Sequence, residues 1–251
     1  MKKIFYVAMA VAATMLAVGC GSMGSSGSSL LSMATKPTTA EISSGLKEAL
    51  MMGVNMGIDK LAAKDGYYND VAVRIGLPQE ALVITKNISK LPGGQKLVDS
   101  AVKSINAAAT DAVKDAAPIF LDAITSMTFT DAAKILAGDN HAATTYFKGK
   151  TKPQLKNLFA SRIKKSMDKK LVGDVSASSS WNTLTSKWNS VAGTIVGRAA
   201  GLTTVNTDLT DYLTDQAVDG LFVKVAEQEQ EIRTKASART TPLLKRVFGH
   251  R

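Results

Sequence analysis

Gly45, Ala49, Gly53 and Gly57 recur every fourth residue. Around them Ile42, Leu46, Leu50, Val54, Ile58 and Leu61 keep the same period, which is that of a helix with one apolar stripe. A glycine inside a helix costs about 1 kcal/mol relative to alanine. Small residues repeated in register therefore need a compensation, and a backbone packed very close to a neighbouring helix supplies it. A chain built this way is expected to pack helix on helix. Its composition agrees, since aromatic residues are only 6% of the total and alanine is common.

The same reasoning extends along the chain. Thr38-x-x-Glu41 is a capping box that starts the first helix near Thr39, and the turn residues of Lys64 to Asp70 end it. Val71 to Pro78 reads as a short strand or an extended link. A short helix is expected over Gln79 to Leu91, stopped by the Leu-Pro-Gly-Gly that ends at Gly94. From Gln95 the stripe Val98, Ala101, Val102, Ile105, Ala108, Ala109, Ala112, Ala116 and Ile119 predicts a long central helix, kinked where Pro118 removes a backbone donor. Thr130 is the expected N-cap of the next helix and Gly138 its stop, with Asp139 or Asn140 capping the one after. Thr151 and Pro153 look like another helix start. Trp181 and Trp188, on a Ser/Thr-rich segment, are either core or surface anchors. The last long helix spans about Asp208 to Lys235, with Leu209, Leu213, Ala217, Leu221 and Val225 inward. On it Glu229–Arg233 and Glu231–Lys235 read as helix ion pairs worth ~0.2–0.5 kcal/mol each. Thr241 caps a final helix with Pro242 in its first turn. The fold class is all-α: a single multi-helix bundle over 38–251 with a kinked central helix and at most a short strand pair.

The N-terminus indicates location. Lys2 and Lys3 precede an apolar run from Ile4 to Val18 broken only by Thr14, the pattern of an export signal over 1–19. It is short of the about 20 apolar residues of a spanning helix. The run ends in Leu16-Ala-Val-Gly-Cys20, and Cys20 is the only cysteine. This stretch resembles a bacterial lipobox, in which the cysteine becomes the first mature residue and carries acyl chains. It departs from the usual pattern in having Ala17 where leucine is preferred. Ordinary cleavage at the small-x-small site Ala17 to Gly19 is the alternative. Lipidation of Cys20 is favoured because a lone thiol is otherwise unexplained in an exported chain. Residues 20–37 then form a Gly/Ser tether of roughly 20 Å reach, in which Leu30, Leu31 and Met33 are a small apolar cluster.

Lysine and arginine number 31 against 21 acidic residues, a net charge of +10; without Lys2 and Lys3 it is +8. The excess concentrates in Arg162 to Lys170 and in Leu243 to Arg251. Basic faces attract anionic lipid or envelope polymers, although each run alone also fits a solvated face. Nucleic acid is disfavoured as a partner by the export signal and by the lack of interleaved aromatic and basic residues.

Candidate ligand-binding residues are few. In Gly138 to Phe147 the capping roles of Asp139 and Asn140 leave His141 over, and Tyr146 lies five residues on. Arg233 and Arg239 could join them from the C-terminal helices. Arg239 and Thr240 precede a helix start, where free N–H groups suit a carboxylate or phosphate; a plain helix corner is the simpler reading. Asn106 lies near the buried stripe, as a structural hub or, less favoured, a ligand contact. No His, Cys, Asp and Glu set has metal-ligand spacing, no cofactor is implied, and no GxSxG stretch supports a Ser/His/Asp triad.

Gly45–Leu50, Asp65–Asp70, Leu77–Leu82, Met127–Gly138, Ala142–Phe147, Ala217–Phe222 and Ala238–Gly249 together resemble the exported bacterial proteins grouped as domain-of-unknown-function family 4197. The resemblance runs in order through nearly the whole mature chain. It implies a largely helical, exported protein without an established activity, and it assigns no catalytic residue. Three functions follow as expectations. The first is a membrane-tethered binding or scaffold module of the cell envelope, with an outer-membrane lipoprotein facing the periplasm as the expected location. The second is an enzyme or small-anion binder with a pocket near His141 and Arg239. The third is a lipid or lipopolysaccharide contact protein using a basic face. The first is preferred.

Overall fold

The computed structural model describes residues 37–88, 93–174, 176–206 and 208–249, all within one compact unit, Pro37–Arg251. The expected signal, Cys20, the tether with its Leu30–Met33 cluster, the stop at Leu91 and His250 lie outside the described residues. Among the described residues there are helices and no strand.

Helix α1 (Thr39–Ala62) starts as expected. Glu41 N–H donates to Thr38 Oγ1 at 3.2 Å and Thr38 N–H returns a bond to Glu41 Oε2 at 2.8 Å. The turn that follows includes Val71 to Val73, with Val73 and Arg74 N–H both on the Asp70 carbonyl, and Arg74 to Pro78 form a link that is not half of a strand pair. A 3-10 turn over Gln79–Ala81 leads into α2 (Leu82–Ile88).

The central helix breaks earlier than its proline. Helix α3 (Gly94–Ala112) gives way to a 3-10 turn at Val113–Asp115, and α4 (Ala117–Thr125) begins with Pro118 in its first turn. The bend is there, but Pro118 starts the second limb, where its missing N–H leaves no intrahelical bond unmade. The apolar stripe is continuous across the bend, with Val98, Ala101, Ile105, Ala108, Ala109, Ala112 and Ala116 all buried.

Helix α5 (Phe129–Ala137) is capped by Thr128, not Thr130. Helix α6 (Ala142–Met167) passes straight through Thr151 and Pro153, which were expected to open a helix. Two features let it. Thr151 Oγ1 donates to the Phe147 carbonyl at 2.8 Å. The carbonyl that Pro153 cannot reach is that of Gly149, which is exposed to water. Helices α7 (Ala177–Ala192) and α8 (Ile195–Ala199) follow, with Trp181 and Trp188 both buried in the core. Helix α9 (Thr210–Thr234) and α10 (Pro242–Phe248) complete the bundle.

Helix α9 packs between α1 and α6, and α1 also receives α4, α5 and α10. The small residues of α1 explain that crowding. A side chain at Gly45 would meet Val247 Cγ2 at 2.7 Å, and at Gly57 it would lie 3.5 Å from the Lys224 backbone. The opposite side of the bundle is α3 against α6 and α7.

Candidate functional site

The corner between α5 and α6 is the Gly138–Phe147 stretch, and its structure is set from a distance. Asp139 Oδ1 accepts the His141 N–H at 2.8 Å, but neither Asp139 nor Asn140 is the N-cap of α6; His141 holds that position without a side-chain bond. The N–H groups of the first turn go instead to Glu229 of α9. Its Oε1 accepts from Ala143 N–H at 2.9 Å, and its Oε2 from Thr144 N–H and Thr144 Oγ1, both at 2.8 Å.

Arg233, one turn on, completes the arrangement. Its Nε donates to Glu229 Oε1 at 2.8 Å and its Nη2 to the Ile135 carbonyl at 2.8 Å, at the end of α5. The two side chains are 6% and 2% exposed. Glu229–Arg233 is therefore the expected helix ion pair, but buried, and it acts as a clip between helices. An anion sits on the positive end of α6 and a cation on the negative end of α5, so each charge is opposed by the nearest helix dipole. Burying two charges is unfavourable unless every lone pair and proton finds a partner, and here the carboxylate accepts four hydrogen bonds.

The other candidates lie close by in different roles. Tyr146 donates its hydroxyl to Asp131 Oδ2 at 3.2 Å. Asp131 is also the third residue of α5 and closes the capping box with Thr128. Hydrogen bonds from Thr128 hold the Asp131 carboxyl below its ordinary range, and burial with the adjacent Asp131 charge pushes the Tyr146 hydroxyl up. His141 is exposed. Arg239 turns back on α9: its Nε reaches the Ile232 carbonyl at 2.9 Å and its Nη2 the Arg233 carbonyl at 2.7 Å. Those two donors serve the end of a helix. Thr240 is exposed and its hydroxyl meets Met52 Sδ at 3.6 Å. Thr241 Oγ1 accepts the Leu244 N–H at 3.2 Å, as its capping role predicts.

Asn106 is elsewhere, on the inner face of α3. Its Oδ1 accepts the Ile75 N–H at 2.9 Å, and its Nδ2 donates to the carbonyls of Ile75 and Val102, both at 2.7 Å. The side-chain amide thus pairs with the extended link as a strand would.

A void of about 20 Å³ between Leu46, Ala49, Leu50 and the Glu229–Arg233 clip is the space behind the corner. That is room for about one water and not for a substrate. Larger depressions open on the surface, one of about 220 Å³ between Met51 and Asn55 of α1 and Pro118 and Leu121 of α4. Another, of about 400 Å³, lies beside Pro78, Asp208, Asp211 and Tyr212. Among the described residues no group of three or more His, Cys, Asp and Glu is placed to hold a metal ion.

Residues 36–249 match the family described as "Protein of unknown function (DUF4197)". The chain belongs to that family. No curated protein and no solved structure matches it. The DUF4197 match takes in the corner, the Glu229–Arg233 clip and both terminal helices, so the described domain and the family's extent nearly coincide. The sequence reading missed Glu229 as a capping residue and Thr128 as the start of α5. Thr128 was recoverable, because it has an acid three residues on and Thr130 has alanine there. Glu229 was not, because Ala143, whose N–H it accepts at the start of α6, is 86 residues away.

Proposed function

We propose that this protein is a membrane-tethered helical module of the bacterial cell envelope, acting as a binding or scaffold element. The observation that carries the reading is Leu16–Cys20: a charged and then apolar leader ends on the chain's only cysteine, and a Gly/Ser stretch joins it to the helical domain. The polar candidates of that domain support it further. Glu229, Arg233, Arg239 and Asn106 are engaged in fastening helices and the extended link to one another, a role that fits a rigid module. The tether would keep this domain within reach of the membrane that carries the acyl chains. In cells, inhibition of lipoprotein signal peptidase by globomycin should leave an uncleaved precursor that still takes up labelled palmitate, and Cys20→Ser an uncleaved precursor that takes up none. Normal processing under both treatments would remove the tether from the proposal.

A further inference from the structure

Beyond α7 the chain makes a tight corner that presents apolar side chains to water. Ile195 and Val196, the first residues of α8, are 82% and 78% exposed, and Val191 on the last turn of α7 is 54% exposed. Nothing about the corner is loose. Trp188 Nε1 donates to the Thr203 carbonyl at 2.9 Å. Asn189 clasps Val205, with Nδ2 on its carbonyl at 3.0 Å and Oδ1 accepting its N–H at 2.9 Å. Thr194 Oγ1 accepts the Gly197 N–H at 2.9 Å. Gly197 is packed so hard that a side chain there would lie 2.2 Å from the Val191 carbonyl oxygen. A clamp of this kind at the base fixes three large apolar groups outward.

Two features select what the corner meets. The N–H groups of Gly193, Thr194, Arg198, Ala200 and Gly201 are bonded within the corner itself, so apart from the first two N–H groups of α8, at Ile195 and Val196, these donors need no partner from lipid. The charge pattern is also one-sided. Between Asp174 and Asp208 there is no acidic residue, and Lys187 and Arg198 flank the apolar group. Apolar side chains ringed by cations and small neutral residues suit an anionic lipid surface, where each cation near the headgroups adds to binding.

We propose that Val191, Ile195 and Val196 form an apolar tip that enters the outer layer of an anionic lipid membrane, with Lys187 and Arg198 meeting the headgroups. This deepens the envelope reading above by giving the domain a membrane contact of its own.

The full chain with Cys20→Ser has no native thiol. An environment-sensitive fluorophore can then be placed at Ile195→Cys or, as a control, at exposed Ser237→Cys. Vesicles of phosphatidylethanolamine and phosphatidylglycerol carrying nitroxide-labelled lipid should blue-shift and quench the probe at 195 and leave that at 237 in water. Replacing phosphatidylglycerol with phosphatidylcholine, or Arg198→Glu, should weaken the quenching. Val196→Asp should reduce it about tenfold with an unchanged melting temperature. A probe at 195 that stays in water, or equal quenching at both sites, would overturn the proposal. So would a blue shift produced only by added envelope proteins, which would mark the tip as a protein-docking surface. Because the leader remains in this variant, only the site-specific quenching is informative. Processing of Cys20 is read separately in cells, so the tip and the tether can fail independently.

Discussion

At Glu229 a single carboxylate closes the start of α6 and, through Arg233, the end of α5. Glu229→Ala leaves a buried guanidinium without its counter-charge and should lower stability by about 3–5 kcal/mol in chemical denaturation. Asp139→Ala, at an exposed site with one backbone bond, should cost ~1 kcal/mol or less, and His141→Ala almost nothing. If Asp139→Ala proves the more damaging, the corner is capped locally after all. The residue scale is also where the sequence was least legible. Spacing showed Glu229 and Arg233 one turn apart, but a four-residue separation looks the same on a wet face as on a dry one. Asn106 was readable as a hub because it interrupts an apolar stripe, although its partner Ile75 was not. A second residue-scale prediction concerns acid. Burial alone would raise the Asp111 carboxyl, but hydrogen bonds from Lys169, Ser166 and Lys114 outweigh it and hold it at about 2. An unfolded carboxyl titrates near ~3.9, so its folded value is depressed. Its stabilisation is then full above about pH 4 and lost as pH falls towards 2. Asp111→Asn should lower stability at neutral pH and flatten the decline between those values, as read by urea titration at each pH.

On helix α1 the glycines make predictions of opposite sign. A side chain at Gly57 would sit in ordinary contact, 3.5 Å from the Lys224 backbone. Gly57→Ala should therefore keep most of the helix-propensity gain, up to about 1 kcal/mol. At Gly53 a single carbon fits at 3.4 Å from Gln228, but Gly53→Leu must push α9 away and should cost ~1–3 kcal/mol. Thermal melting of both variants checks the pair, and a Gly53→Leu protein as stable as the parent would show that the helices do not meet there. Helices α1, α5, α9 and α10 and their order were legible because apolar stripes and caps are local in sequence, whereas α7 and α8, on a Ser/Thr-rich segment, were not. Boundaries failed where a neighbour or solvent decides them. Pro153 is tolerated inside α6 because Gly149, four residues back, is small and open to water, and Pro118 opens α4 because α3 has already tightened into a 3-10 turn.

Across the whole molecule, α9 touches α1, α3 and α6, and α7 is joined to the bundle through α2, α3 and α6. The buried hydrophobic side chains of these elements form one continuous cluster. The two tryptophans both lie on α7 and both are buried. Their fluorescence therefore reports one side of the bundle, whereas far-ultraviolet circular dichroism reports all of it. The two urea transitions should coincide, as expected for a single cooperative unit. Separate midpoints would mean that α7 and its neighbours unfold apart from the α1–α9–α10 side.

The pairing of α1 with α9 and α10 has a consequence in time. The glycine face of α1 is synthesised well before the side chains that cover it, from Lys224 to Val247. Until they arrive, α1 has no partner for that face, and the α5–α6 corner has no Glu229 to hold it. A nascent chain therefore cannot close its core early. Under the export proposed above, that delay would keep the polypeptide threadable until the segment from Lys224 to Val247 has been made.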